Sequence, residues 1–163
     1  MDILQVVGYS NSGKTTTTSA LIQYLSQAGI SVAALKHHGH GGFPDGLDQK
    51  DSIRHQKAGA IISGVEGAGL FQLAKKQPWD FEQIIRIYEL FQVDLLIIEG
   101  YKKKDYSKIM LIHGEADVEL LSETSNIIAV VSDLPLDDSD LEIPVFKRDE
   151  MLELCEWVLH KFN

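Results

Sequence analysis

Residues 8–15, Gly8-Tyr9-Ser10-Asn11-Ser12-Gly13-Lys14-Thr15 or "GYSNSGKT", fit the pattern G-x-x-x-x-G-K-[ST]. The apolar run "ILQVVG" (3–8) precedes them and "TTTSALIQYL" follows. A strand that enters a glycine-rich turn and leaves as a helix is the setting of a phosphate-binding loop, or P-loop. Glycines at 8 and 13 let successive N–H groups turn inward, which a Cβ would obstruct. The helix adds its positive N-terminal end. Gly8, Ser10, Asn11, Ser12, Gly13, Lys14, Thr15 and Thr16 are therefore expected to surround the phosphates of a nucleoside triphosphate. Lys14 is expected to reach the β- and γ-phosphates, and the Thr15 hydroxyl to ligate Mg²⁺.

The pattern outside this loop alternates strand and helix. Ala20, Leu21, Leu25 and Ala28 recur at helical spacing over 14–28, and Gly29 supplies the stop. "SVAALK" (31–36) is the next strand, and the crossover is long enough to make the two parallel. A glycine-rich loop over 37–50 exceeds most connections in compact domains. A short helix is expected from 51 to about 57. Strands at 59–65 and 68–75 form a pair turned near Glu66-Gly67. An amphipathic helix over 79–92 turns Phe81, Ile84, Ile85, Tyr88 and Phe91 inward. Strands follow at 93–100, 108–113, 126–133 and 143–146. A last helix over 148–161 buries Met151, Leu154, Cys155, Val158 and Phe162 at its inner side and end. Near-continuous apolar strands interleaved with helices predict an α/β P-loop NTPase fold, with a mostly parallel sheet flanked by helices. With 163 residues, a single nucleotide-binding domain over 1–163 is expected.

Ligands gather at the carboxyl ends of the strands in such sheets. Gly8, Lys36, Glu99 and Asp133 all stand at predicted strand ends. A P-loop needs a second acid at the tip of a neighbouring strand to hold the metal shell. In "DLLIIEG", Glu99 is at the carboxyl end, whereas Asp94 precedes the strand. The long loop offers Asp45, Asp48 and Asp51, and the residues alone leave these three level. In "HHGH", His37 and His38 point oppositely on a continuing strand and Gly39 loosens the rest, so a solvated loop outweighs a metal site. "YKKKD" (101–105) follows Glu99-Gly100 and brings Lys102, Lys103 and Lys104 to the same rim.

The net charge of −9 argues against general affinity for nucleic acid or an anionic membrane. The single cysteine, Cys155, excludes an intrachain disulfide and is expected in the core. No signal-peptide pattern or apolar run of membrane-spanning length occurs, so a cytoplasmic protein is expected. A small-molecule kinase would close several arginines over the transferring phosphate, and this chain has only Arg54, Arg86 and Arg148. A metal-delivery GTPase would use the histidine-rich loop, but the Cys/His ligands it would want are thin in this chain. No N-K-x-D tetrad for guanine occurs. Asp133 in "VVSDLP" ends a strand where a carboxylate accepts from guanine amines.

The combination of "VVGYSNSGKTTT", "LKHHGH", "KDSIRHQKAGA" (50–60), "DLLIIEGYK" (94–102), "KI" (108–109) and "AVVSDLPL" (129–136) resembles the MobB family. These are molybdopterin-guanine dinucleotide biosynthesis adaptor proteins, and the likeness spans nearly the whole chain. It implies a GTP- and Mg²⁺-binding homodimer with weak GTPase activity. The partner it implies is the guanylyltransferase that joins GMP to molybdopterin in making the molybdenum cofactor's dinucleotide form. By matching position, it implies that Thr15, Glu99 and Asp51 attend the metal, with Asp51 and Glu99 as the catalytic acids. Lys36 and His37 would then lie beside the phosphates, Lys102 in "EGYK" at the rim, and Asp133 near the base.

Overall fold

The computed structural model describes residues 1–39, 51–136 and 141–163, and only the backbone of 51–53. By their contacts these residues form two compact units, 1–37 with 91–163, and 38–90. The larger unit is a six-stranded sheet built from β1 (Asp2–Val7), β2 (Val32–Lys36), β5 (Leu95–Glu99), β6 (Ser107–Ile112), β7 (Ile127–Ser132) and β8 (Val145–Phe146). Their order is β2-β5-β1-β6-β7-β8, and every neighbouring pair is parallel. Helix α1 (Lys14–Gln27) joins β1 to β2, and a last helix α5 (Met151–Phe162) closes the chain.

Strand periodicity explains the two faces. Leu4 and Val6 of β1 join Leu95, Ile97, Ile109, Leu111, Ala129 and Val131 against Leu21 and Leu25 of α1 and Leu154, Cys155 and Val158 of α5. On the opposite face Val7, Met110, Ile112 and Val130 pack with Leu120 of α4 (Glu119–Glu123). Each of these leucines contributes roughly 1.5–3 kcal/mol by leaving water. This double covering is why the sheet strands read as unbroken apolar runs rather than alternating ones. Among the buried polar residues of these strands, Gln5 and Lys108 are partners in the β1–β6 register, and both are fully buried.

The smaller unit carries α2 (Asp51–Lys57), the antiparallel hairpin of β3 (Ile62–Gly67) and β4 (Leu70–Lys75), and α3 (Phe81–Glu89). Asp80 caps α3 by accepting from the Glu82 N–H at 3.2 Å. Two expectations are corrected here. The hairpin turns at Ala68-Gly69, where φ is 51° and 79°, and not at Glu66-Gly67. Positive φ at both positions matches the twist of the strands. Helix α3 ends at Glu89, and Phe91 is 71% exposed rather than inward, with Gln92 at φ 52° just beyond.

Smaller differences follow from short elements. Only Val145–Phe146 of "IPVF" pairs, and α5 starts three residues later than its apolar spacing suggests. A 3-10 turn at Glu115–Asp117 and α4 are too short to show periodicity in sequence. Among the described residues, no helix is long and apolar enough to cross a membrane.

Candidate nucleotide site

All six parallel strands end on one edge, so the loops after β1, β2, β5 and β7 share it. The loop after β1 has the backbone that its glycines predict. Gly13 sits at φ 93° ahead of α1, and Gly8 has no room for a side chain. A Cβ there would lie 2.7 Å from both Leu111 O and Ser12 Oγ. Asn11 is left-handed at φ 62°, a conformation that asparagine tolerates better than most residues. The Ser12 N–H donates to Tyr9 O at 3.3 Å, and Thr17 N–H to Gly13 O at 3.0 Å, joining the loop to the helix. Among the described residues the buried Ser12 hydroxyl has no hydrogen-bond partner, nor does that of Thr18 one turn into α1.

Beside this loop a charged cluster draws on the first turn of α1 and the ends of β2 and β5. The Thr15 hydroxyl donates to Glu99 Oε1 at 2.9 Å, with Oε2 at 3.1 Å. The Lys36 ammonium donates to Thr15 Oγ1 at 2.9 Å and pairs with Glu99 Oε1 at 3.0 Å. Glu99 is 7% exposed, whereas the Lys36 side chain is mostly open to solvent. The β2–β5 register sets Lys36 directly opposite Glu99, and the β1–β5 register sets Val6 on its other side. Lys14 Nζ donates to Tyr9 O. Burial lowers the Lys14 ammonium from its ordinary value, the Glu99 carboxylate works to raise it, and Lys36 to lower it.

The residues beside the loop have the chemistry of a Mg²⁺ site. A hydroxyl and a carboxylate are hard oxygen ligands of the kind Mg²⁺ prefers. A cation, the Lys36 ammonium, already bridges them. The donor set suits the ion.

The segment after β5 curls over the same edge. Gly100 adopts φ 99°, Tyr101 φ 52°, and the His37 and Tyr101 rings stack at 4.0 Å. The Gln5 amide donates to Gly100 O at 3.0 Å and to Tyr101 O at 2.8 Å, fixing that turn from below. Lys102 Nζ stands 5.0 Å over the Tyr9 ring, within cation–π reach. The lysine run thus meets the loop after β1 through Lys102. Ser10, Asn11 and Thr16 are exposed on or beside that loop.

Asp133 stands apart from the Thr15–Glu99 cluster. It follows β7, two strand spacings or about 10 Å from β1. Its carboxylate is engaged by Arg148: Asp133 Oδ2 lies 3.1 Å from Nε, and Oδ1 accepts from the Arg148 N–H at 3.2 Å. Arg148 was not among the residues expected at the site. Its Nη1 donates to Ser12 O at 2.9 Å and its Nη2 to Ile112 O at 3.2 Å. No local pattern marks it, since its partner in the loop lies 136 residues away.

Asp51 opens α2, and its side chain falls outside the described residues, as do Asp45, Asp48 and His40. Among the described residues, no three His, Cys, Asp or Glu side chains gather as a metal-binding group. Cys155 is buried in the core, which raises its thiol above the ordinary value.

Residues 3–133 match the family described as molybdopterin guanine dinucleotide synthesis protein B, MobB. A probable molybdopterin-guanine dinucleotide biosynthesis adapter protein of Bacillus subtilis is 43% identical over 130 residues, covering 79% of this chain and 75% of the relative. The corresponding adapter protein of Escherichia coli is 28% identical over 164 residues, covering 96% and 91%. The crystal structure of a MobB protein homolog from Bacillus stearothermophilus superposes with a TM-score of 0.79 at 31% identity, covering 99% of this chain and 98% of that one. That of Bacillus subtilis MobB gives 0.79 at 33% identity, covering 100% and 99%.

Proposed function

The chain belongs to the MobB family, and from that premise we propose that it is a GTP- and Mg²⁺-binding adapter in molybdopterin-guanine dinucleotide biosynthesis. In this reading it hydrolyses GTP slowly and assists the guanylyltransferase that joins GMP to molybdopterin. The observation that carries the nucleotide part is the Thr15–Glu99–Lys36 cluster beside a loop that excludes a Cβ at Gly8.

The residues divide the work by their chemistry. The loop N–H groups and Lys14 hold the phosphates, and Lys14 exchanges the Tyr9 carbonyl for a phosphate oxygen. Thr15 and Glu99 would hold Mg²⁺, which when bound would supply neutralisation of charge on the phosphoryl oxygens. Lys36 moves off Glu99 towards the phosphates, and His37 stays stacked on Tyr101 at their edge. Asp51 joins Glu99 as the water-side acid. Lys102 leads a basic rim that attracts the anionic pterin phosphate or the partner enzyme, against the chain's overall charge of −9. Guanine is read near Asp133.

Two further parts of the proposal concern assembly and place. The hairpin exposes Ile62, Val65, Leu70 and Phe71, a large apolar area for so small a unit, and a second copy of the chain would cover it. The homodimer is placed in the cytoplasm.

The experiment is Mg²⁺-dependent turnover of GTP against ATP, with and without a molybdopterin guanylyltransferase. Slow GTP-selective hydrolysis together with faster dinucleotide formation is the expected result. Rapid ATP-dependent phosphorylation of a small molecule, with no effect on the transferase, would replace this reading with the kinase one.

A further inference from the structure

We infer that Arg148 is a positioning residue that aims the phosphate-binding loop, and that Asp133 aims Arg148. The inference rests on the nucleotide reading of the loop. It concerns a residue beyond the segment matched by the family model, which ends at residue 133.

The geometry is a three-way stitch. Arginine presents five N–H donors in a rigid plane, so one side chain can serve several acceptors without rearranging. Here Nη1 takes Ser12 O in the loop after β1, and Nη2 takes Ile112 O at the end of β6. Nε pairs with Asp133 beyond β7. The guanidinium thus ties the ends of three neighbouring strands at the edge where the loop lies. It also closes on Gly13, where an added Cβ would stand 2.9 Å from Nη1.

The consequence for the loop follows from peptide geometry. In a planar trans peptide the C=O and the next N–H point in opposite directions. Fixing Ser12 O on Arg148 therefore turns the Gly13 N–H to the other side of the loop, and holds it there. That N–H belongs to the set by which such a loop binds phosphate. Without the guanidinium, the Ser12–Gly13 peptide is free to flip, because glycine accepts either orientation. Asp133 contributes at one remove. Both its oxygens hold Arg148, one through Nε and one through the backbone N–H.

The test is calorimetric titration of GTP–Mg²⁺ into the full chain, comparing wild type, Arg148→Ala, Arg148→Lys and Asp133→Asn, with thermal melts of each. Arg148→Ala should lose about tenfold or more in affinity, the scale of a charged hydrogen bond. Millimolar guanidinium should restore it, and equal sodium chloride should not. Arg148→Lys should recover only part, because an ammonium cannot bridge three fixed acceptors. Asp133→Asn should lose severalfold for ATP–Mg²⁺ as for GTP–Mg²⁺, and a loss confined to GTP would overturn its part in aiming Arg148. Should Arg148→Ala fail to fold, the Lys and Asn variants carry the test by the same comparison. Unchanged affinity in the Ala variant overturns the inference, as does a loss that tracks the melting temperature and ignores guanidinium. Absence of binding by wild type defeats the nucleotide reading itself, a distinct outcome.

Discussion

The Lys36 ammonium stands 3.0 Å from Glu99 Oε1, and the two residues are direct register partners on adjacent strands. A carboxylate that is 7% exposed is costly to leave unpaired, so Lys36 and Thr15 balance it where Mg²⁺ would. Glu99→Ala should therefore affect the metal more than the nucleotide. GTP affinity without Mg²⁺ should change little, while Mg²⁺-dependent turnover should fall roughly 10- to 100-fold. Turnover at the wild-type rate, measured across a Mg²⁺ series, would remove Glu99 from the site.

Lys14→Ala tests the loop directly. The ammonium contributes a charge-assisted contact to phosphate oxygens, worth about 1.5–3 kcal/mol, or roughly ten- to a hundredfold in GTP affinity. Among the described residues its hydrogen bond is to the exposed loop carbonyl of Tyr9, so the melting temperature should stay close to wild type. Retained affinity on titration would place the phosphates elsewhere.

These two residues show what was legible in the sequence. Gly8, Gly13, Lys14 and Thr15 lie in one local pattern whose spacing is its meaning. Glu99 was legible because a strand end is a place in the fold, and the parallel sheet brings such ends together. Arg148 was not, because its role depends on a partner 136 residues away, and an arginine between a short strand and a helix carries no local signal. Asp133 follows the end of β7, as the strand pattern predicts, but its pairing with Arg148 has no signature in "VVSDLP". Phe91 was misread because helical spacing continued past the residue where the helix stops. A positive φ at Gln92 is not written in the apolar pattern.

Lys102 and Lys103 test the basic rim. Lys102 lies over Tyr9, and both lysines are exposed. Replacing the two with alanine should slow association with an anionic pterin or with the guanylyltransferase severalfold at low salt. The difference should shrink as ionic strength rises, because rim charges act mainly through steering. Association rates by surface plasmon resonance at two salt concentrations decide it. Equal rates at both would make the run a solvated turn.

The hairpin predicts an assembly. Phe71 is 65% exposed, so Phe71→Asp should alter the stability of an isolated chain by no more than about 0.5 kcal/mol. In a dimer that covers this face it would bury an unpaired carboxylate, which is far more costly. Sedimentation should report a dimer for wild type and a monomer for the variant. A variant that remains dimeric would move the interface off β3 and β4.

Lys108 gives the pH prediction. It is fully buried, donates to Tyr106 O at 2.9 Å, and burial lowers its pKa from the ordinary 10.5, with the Asp105 carboxylate opposing. For a base lowered on folding, the unfolded chain binds the extra proton at pH values between the folded value and 10.5. Below that window the shift is a constant cost, and within it stability recovers as pH rises. Lys108→Met keeps an unbranched side chain of similar length and removes the charge. The variant should be more stable at pH 7 by about 1 kcal/mol, the scale on which apolar replacement of buried ionic groups succeeds. Its advantage should narrow as pH climbs towards 10.5, because wild type sheds the proton there. Urea melts at pH 7, 8.5 and 10 measure the difference. A variant less stable by a constant amount at all three would show that the bond to Tyr106 outweighs the buried charge, making Lys108 an anchor for the turn that carries Lys102.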